Sequence, residues 1–399
     1  MGEARGAVDQ LLEEFKVNKP ANFCLRDVSG HVFAFSLDQF GSRFIQQQLD
    51  GPDGAASVPG LLSEVMPRLV ELSCDIFGNY VVQKALDVGD AGARAAVASA
   101  LAGDMLSLSL NQYGCRVVQK ALQVLPEEGQ VAIVSELDSQ VMRCVRDANG
   151  NHVIQKVIEC VPTPRITHIL DAFLACILPL SGHPFGCRIV QRILEHCKDP
   201  MRRGAALDEI LKGTHKLILD QYGNYVIQQL LQCGSTPERV HIVGVIAPGI
   251  QRLALHKFAS NVIEKGLTYC DTRERDTLIW GILGHGRPVP EGEPDPLQAM
   301  MKDQFGNYVV QKVLAVANPE QRDVLLSRMQ PHLSALKKYT YGKHIAARAE
   351  KLLVAAGAQR GGGGAAGGGG APSAPSSGEH ASTAGGEPLS SRGQGPSAP

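Results

Sequence analysis

The chain is poor in the features that announce most protein classes. Charge excess is absent: 39 Lys and Arg stand against 40 Asp and Glu, a formal net charge of −1. Bulk charge therefore gives no sign of a nucleic-acid partner, whose phosphates attract basic proteins. Paired cysteines are absent too. The ten cysteines are scattered singly with no C-x-x-C, which argues against a zinc cluster or a disulfide framework and leaves reduced thiols of a cytosolic protein as the expectation. No apolar run approaches the roughly 18 residues of a membrane span. The start, Met1-Gly2-Glu3-Ala4-Arg5-Gly6, has neither a signal-peptide core nor the Ser/Thr of a myristoylation site. An H-E-x-x-H, a P-loop and a G-x-S-x-G are all missing, and the 12 His recur at unrelated positions apart from His183 and His256. These absences set the expectation of a soluble, cytoplasmic protein that is not an enzyme and has no catalytic residue, metal or cofactor.

What the chain has is repetition. Gln221-Tyr222-Gly223-Asn224-Tyr225-Val226-Ile227-Gln228 is a template whose last five residues read polar, flat or cationic, apolar, apolar, Gln. The pattern recurs as Ser42-Arg43-Phe44-Ile45-Gln46, Asn79-Tyr80-Val81-Val82-Gln83, Cys115-Arg116-Val117-Val118-Gln119 and Asn151-His152-Val153-Ile154-Gln155. It continues as Cys187-Arg188-Ile189-Val190-Gln191, Ser260-Asn261-Val262-Ile263-Glu264 and Asn307-Tyr308-Val309-Val310-Gln311. From Ser42 the first residues lie 37, 36, 36, 36, 37, 36 and 47 positions apart. A fixed period of this length marks a solenoid, in which each unit buries its apolar face only against its neighbours.

Four residues before each pentad's first residue stands Asp38, Asp75, Asp147, Asp220 or Asp303, replaced by Asn111, His183 and His256 in the other copies. Such a residue suits a helix N-cap. An amphipathic helix follows, as in Val81 to Leu86, and then a more variable one, such as Gln130 to Val134 or Arg322 to Leu326. The segment Val8 to Phe15 reads as a terminal cap, and Tyr341-Gly342-Lys343-His344-Ile345-Ala346-Ala347, with Ala347 where Gln should stand, as the other. Gly51 to Gly54 and Val58-Pro59-Gly60 predict a looser, non-helical connection in repeat 1. The 47-residue interval before repeat 8 places an inserted surface loop at 284–296. Residues 1–354 form the repeat domain in this reading. Residues 355–399, Gly, Ala, Ser and Pro with almost no apolar bulk, form a disordered tail, where Gly362-x-Gly364-x-x-Gly367 is a low-complexity accident.

The first and last residues of each pentad are four apart, so on a helix they project side by side, while the second points along the stack and the third and fourth face the core. Each repeat then offers two hydrogen-bonding side chains flanked by a planar or cationic one, and stacking turns them into a row. A single nucleic-acid strand supplies bases with an edge to be hydrogen-bonded and faces to be stacked upon at regular intervals. Arg116, Arg188, Tyr80, Tyr225, Tyr308 and His152 all suit stacking. The residue after the Gln or Glu is basic at Lys84, Lys120, Lys156, Arg192, Lys265 and Lys312 but is Gln47 and Gln229 elsewhere. It either lines the groove or solvates a helix edge.

These repeats, over about Val8 to Leu353, resemble those of the Pumilio (PUF) family of single-stranded RNA-binding proteins. The resemblance implies an all-α solenoid, a curved superhelix of eight three-helix repeats with caps, that reads one base per repeat. Asn79/Gln83, Asn224/Gln228 and Asn307/Gln311 match the family's uracil reader. Ser42/Gln46, Cys115/Gln119 and Cys187/Gln191 resemble its adenine reader, with Arg43, Arg116 and Arg188 as stackers. Ser260/Glu264 with Asn261 is similar to its guanine reader, and a carboxylate that only accepts hydrogen bonds fits guanine's adjacent N–H donors independently. Asn151/Gln155 looks uracil-type, but His152 replaces Tyr at a position the family treats as tolerant. Since family members bind RNA antiparallel to the repeats, the implied element is 5′-UGUA-N-AUA. The resemblance further implies a monomer that acts on mRNA 3′ untranslated regions as a translational repressor and promoter of decay, with co-repressors such as a deadenylase complex and Nanos-type proteins and no membrane partner. The long N-terminal extension common in the family is absent, so a short form or a fragment is expected. The alternatives are a protein-binding scaffold of the armadillo or HEAT kind and a nucleolar relative that recognises structured RNA. The regular alternation of polar partners with Tyr, Arg and His weighs against the scaffold, and the readable code weighs against the nucleolar relative.

Overall fold

The computed structural model describes residues 11–17, 23–288, 290, 292–339 and 341–361, with side chains as far as Val354. Among these residues every regular element is a helix. Eight helices carry the pentads: α1 (Gln39–Leu49), α2 (Gly78–Val88), α3 (Gly114–Val124), α4 (Gly150–Cys160), α5 (Gly186–His196), α6 (Gly223–Cys233), α7 (Ala259–Tyr269) and α8 (Gly306–Val316). Each is preceded by a short helix, such as Leu69–Ser73 before α2, and followed by a longer one, such as Ala91–Leu101 after it. These are the three-helix units of the repeat. Within residues 1–350 each pentad helix packs on the pentad helix of the repeat before and after it, α1 on α2 through to α7 on α8, so the eight lie in one consecutive row.

The start of each pentad helix is set by one side chain. Asp75 Oδ1 accepts from the backbone N–H groups of Phe77 and Gly78 at 2.8 Å each, and Asp38, Asp147, Asp220 and Asp303 accept from the equivalent pair. Asn111 does the same for Tyr113 and Gly114. In repeats 5 and 7 an imidazole takes over: His183 Nδ1 accepts from Phe185 at 3.2 Å and Gly186 at 3.1 Å, and His256 Nδ1 from Phe258 and Ala259. All eight residues in the capping register therefore satisfy orphan donors at a helix start. A glycine follows the turn in seven repeats, and a Cβ on Gly186 would lie 2.5 Å from the Leu180 carbonyl oxygen; repeat 7 has Ala259 there. The far end of the helix is closed by the following helix, from which Arg94 Nε donates to Leu86 O at 2.9 Å and Gln130 Nε2 to Leu122 O at 2.9 Å. Arg203 Nε donates likewise to Leu194 O of α5, whereas Arg239, Arg275 and Arg322 reach the carbonyls of Gly234, Cys270 and Ala317, one residue past the ends of α6, α7 and α8.

The third and fourth pentad residues face the core in every repeat, from Phe44 and Ile45, 4% and 0% exposed, to Val309 and Val310, both 0%. Fully burying a side chain of this size is worth about 1.5–3 kcal/mol. A rotation of any pentad helix would expose both residues at once, so the pair fixes the face that the helix turns to the groove.

The structure corrects two expectations. Gly54–Val65 is a regular helix with Pro59 inside it, not a loose connection. Val58, Leu61, Leu62 and Val65, all at most 4% exposed, pack its inner face, and that burial outweighs the one backbone hydrogen bond that Pro59 cannot donate. At the other end, the helix Gly342–Gly361 runs into the stretch read as disordered from residue 355, because Ala355, Ala356, Ala358, Gln359 and Arg360 are good helix formers. The remainder of the expected tail, from 362 on, lies outside the described residues, as do Val8, Asp9 and Gln10 of the expected first cap. In the second cap Ile345 and Ala346 are buried at 0% like the apolar pair of a true repeat. Contacts divide the chain between Glu350 and Lys351. Of the second unit only residues 351–361 are described, and they are helical.

The caps of repeats 5 and 7 work only with a neutral imidazole, since a protonated ring has no acceptor at Nδ1. Burial, helped by Arg146, holds the His183 pKa below its ordinary 6.5. A depressed folded-state pKa gives stability that is present above the unfolded value and is lost as the pH falls through the folded one. Lowering the pH from 7 toward 5 should therefore destabilise repeat 5, whereas His183→Asp should remove that loss and retain a cap worth about 1 kcal/mol. Thermal unfolding of the two proteins across this pH range checks it.

Candidate nucleic-acid interface

The pentad residues sort by position in all eight repeats. First residues are buried: Asn79 and Asn151 are 0% exposed, Asn224 1%, Asn307, Ser42 and Ser260 2%, Cys187 3% and Cys115 4%. Second residues (Arg43, Tyr80, Arg116, His152, Arg188, Tyr225, Asn261 and Tyr308) are all exposed. The fifth residues, Gln46, Gln83, Gln119, Gln155, Gln191, Gln228, Glu264 and Gln311, are all half-buried. Eight helices in a row, each phased by its apolar pair, thus present one flat or cationic side chain and one amide or carboxylate per repeat.

The burial of the first residue departs from the expectation of two equally offered side chains, and its cause is local. Asn224 Nδ2 donates to the carbonyls of Asp220 at 2.8 Å and Gln221 at 3.0 Å. Asn79, Asn151 and Asn307 donate to their own counterparts. Two facing carbonyls admit only the NH2 end of the amide, so each Oδ1 is turned away from them. There it accepts from the Gln one turn on: Gln83, Gln155, Gln228 and Gln311 Nε2 lie 2.8, 2.9, 2.7 and 2.9 Å from their Asn Oδ1. The Asn is an acceptor anchored by its own donor.

Repeats with Ser or Cys in first position are wired differently. Gln46 and Gln119 Nε2 donate to the backbone carbonyls of Ser42 and Cys115 at 3.0 Å, and Gln191 Nε2 to the Tyr225 carbonyl of the next repeat at 3.0 Å. The hydroxyls and thiols turn back to a carbonyl three residues earlier, Cys115 Sγ to Gln112 O and Ser260 Oγ to Lys257 O among them. Burial pushes the Cys115 and Cys187 thiols up, so both stay neutral. Glu264 is the one carboxylate in the fifth position, and burial raises its pKa while Lys312 of the next repeat opposes the rise. Tyr225, Gln228, Asn261, Glu264, Lys265 and Lys312 line one cleft across α6, α7 and α8. In the middle of the row His152 has its pKa lowered, first by burial and then by the charges of Arg188 and Arg116. The second pentad residues of repeats 3, 4 and 5 are therefore close enough to feel one another.

Three of the six basic residues after the pentad bridge to an acid of the preceding repeat, while Lys156 pairs with Glu159 of its own helix. Lys84 Nζ lies 2.7 Å from Asp50, Lys120 Nζ 3.1 Å from Asp87 and Arg192 Nε 3.4 Å from Glu159, each acid belonging to the previous repeat. Gln229 and Lys265 reach Glu195 and Gln232 in the same way. Sequence reasoning missed these partners, although an acid eight places after the first pentad residue recurs at Asp50, Asp87, Glu159 and Glu195 and was a readable signal. Among the described residues no group of three or more His, Cys, Asp or Glu could hold a metal ion, and no helix is long and apolar enough to cross a membrane.

A family model described as the Pumilio-family RNA binding repeat matches residues 31–54, 68–102, 104–137, 140–174, 176–211, 215–247, 250–283 and 298–329, one match around each pentad. The chain belongs to the Pumilio family. It is 44% identical to Pumilio homolog 1 of Xenopus laevis over 344 residues, 86% of this chain and 28% of that protein. It is 42% identical to the mRNA-binding protein puf3 of Schizosaccharomyces pombe over 347 residues, 86% of this chain and 46% of that one. The chain thus spans less than half the length of these relatives. Among solved structures it is similar to the Puf3 RNA binding domain bound to Cox17 RNA 3′ UTR recognition sequence site A, with a TM-score of 0.76 and 36% identity over 85% of this chain and 99% of that one. It is also similar to PUF-8 in complex with PBE-RNA, with a TM-score of 0.74 and 36% identity over 86% and 99%. Pumilio-family domains are RNA-binding modules rather than enzymes, and the armadillo or HEAT alternative falls.

The anchored Asn and the free-ended Gln predict separable effects. Asn224→Ala removes two buried donations and should cost roughly 1–3 kcal/mol in chemical denaturation. Gln228→Ala, at a half-buried position, should stay within about 0.5 kcal/mol of the parent. Equal losses would mean that the Asn is not the structural member of the pair.

Proposed function

We propose that this Pumilio-family chain binds single-stranded RNA bearing 5′-UGUANAUA, one base per repeat, with repeat 8 on the first U and repeat 1 on the last A. The observation that carries the reading is the alternation, in consecutive helices, of an exposed flat or cationic side chain with a half-buried Gln or Glu. Uracil presents acceptor, donor and acceptor along its pairing edge. An outward Asn Oδ1 takes the N3–H, and the neighbouring Gln Nε2 turns from that oxygen to a uracil carbonyl. Adenine needs one acceptor and one donor, which a Gln supplies alone beside a neutral thiol or hydroxyl. Guanine has two adjacent N–H donors, which only the carboxylate of Glu264 accepts together. The flat residues stack on the bases, each worth about 1–3 kcal/mol.

The salt-bridge ladder supports a base-centred mode of binding, because Lys84, Lys120 and Arg192 already have carboxylate partners. Phosphate neutralisation then carries a smaller share of affinity, and the salt dependence is shallow. With no chemistry of its own, the protein acts by recruitment. This reading includes binding to mRNA 3′ untranslated regions in the cytoplasm as a monomer, repression of translation and mRNA stability, and protein co-repressors of the deadenylase and Nanos type.

Binding of labelled UGUAUAUA against the same oligomer with the UGU replaced tests the reading, and equal affinities sink it. The combined change Ser260→Asn, Asn261→Tyr and Glu264→Gln should switch the second base from G to U. The two proteins should also differ in pH response. Glu264 must be ionised to accept from guanine, and burial raises its pKa, so the parent's affinity for its RNA should fall as the pH drops through that raised value. The switched protein on UUUAUAUA should lack this component, as titrations of both pairs would report.

A further inference from the structure

The row of readers does not stop at the base met by repeat 1. Lys84 and Lys120 reach back to acids of the preceding repeat, so the face of each pentad helix that carries this position looks toward the repeat before it. On α1, which lies in the first matched repeat, the same face carries Phe40, Arg43 and Gln47. Phe15 and Lys16 of the N-terminal segment stand across from it, and the five side chains, with Phe44, enclose a cleft. Its floor is aromatic: Phe15 and Phe44 are 5% and 4% exposed, their ring centroids 5.1 Å apart. Its rim is cationic and polar.

Phe40 is the telling residue. The aromatic side chain two places after the cap is half-buried in repeats 2, 3 and 5 to 8, as at Phe77, Tyr113 and Phe185. Phe40 is 56% exposed. An exposed ring three residues before an exposed guanidinium, Arg43, joins two side-chain types that stack on bases. Lys16 Nζ lies 3.0 Å from Asp38 Oδ2 and 3.0 Å from Glu13 Oε1, so it offsets part of the charge of those two carboxylates.

We infer that this cleft is a ninth nucleotide subsite, in which the base that follows the one read by repeat 1 stacks against Phe40 and Arg43. The inference rests on the RNA reading proposed above and extends it. The subsite has no carboxylate or anchored amide aimed at a base edge. It selects for an aromatic base, not for one of the four. On the strand direction proposed above, the added nucleotide is the 3′ one.

The test compares UGUAUAUA, UGUAUAUAA, the same nonamer with an abasic ninth nucleotide, and AUGUAUAUA, each on the full chain and on Phe40→Ala and Phe40→Tyr variants. The 3′-extended nonamer should bind about tenfold tighter than the octamer. The gain should vanish with the abasic nucleotide and with Phe40→Ala, survive Phe40→Tyr, and be absent for the 5′ extension. Octamer affinity and the circular dichroism of the Phe40→Ala protein should match the parent. An octamer that binds with no gain from the ninth base, or a gain untouched by Phe40→Ala, overturns the subsite alone. An octamer that binds no better than a scrambled one overturns the RNA reading and the subsite together.

Discussion

The burial of two adjacent apolar side chains on each pentad helix is the constraint from which the rest of the structure follows. Val81 and Val82, or Val226 and Ile227, are removed from water together, and no other rotation of the helix removes both. That fixes which residues one position earlier and one position later meet solvent. Because the neighbouring repeats obey the same rule, eight independent choices of helix phase become one aligned row. A change that freed one pair would turn a single reader away and leave the remaining core in place, since each repeat leans only on its neighbours.

Local hydrogen bonding refines what packing sets. A capping residue starts every pentad helix, a glycine allows the close approach in seven of the eight, and an arginine or glutamine from the following helix closes the far end in six. The Asn of the Asn/Gln repeats then does two jobs. Its donor ties it to the turn that starts the helix, and its acceptor orients the Gln beside it. A reader held in place before its ligand arrives loses less side-chain freedom on binding. The ladder of cation and acid between repeats does for the groove edge what the Asn does for its floor, and it neutralises side chains that would otherwise seek phosphates.

How much of this was legible depended on periodicity. The eight pentads, their 36-residue spacing and the capping residues are visible in the letters because each repeat must solve the same packing problem. Asp38, Asn111 and His183 look unrelated until the register aligns them, and all three accept from the same two N–H groups. Where burial or stacking between repeats overrode local preference, the reading failed. The Gly54–Val65 helix was obscured by Pro59, whose local preference tertiary burial overrode. The ladder was missed because its partners lie about 34 residues apart in sequence and meet only when repeats stack.

By itself, then, the sequence determined the repeat, the helical phase and the chemical type of side chain that each unit carries, because a short-range pattern of apolar and polar residues suffices for all three. Only the tertiary structure decided that the Asn is buried and anchored while the Gln is half-buried, that Lys84, Lys120 and Arg192 already have acid partners, and that Phe40 is left exposed. Each of those outcomes depends on what the neighbouring turn or the neighbouring repeat places within a few ångströms, and no residue carries that information alone.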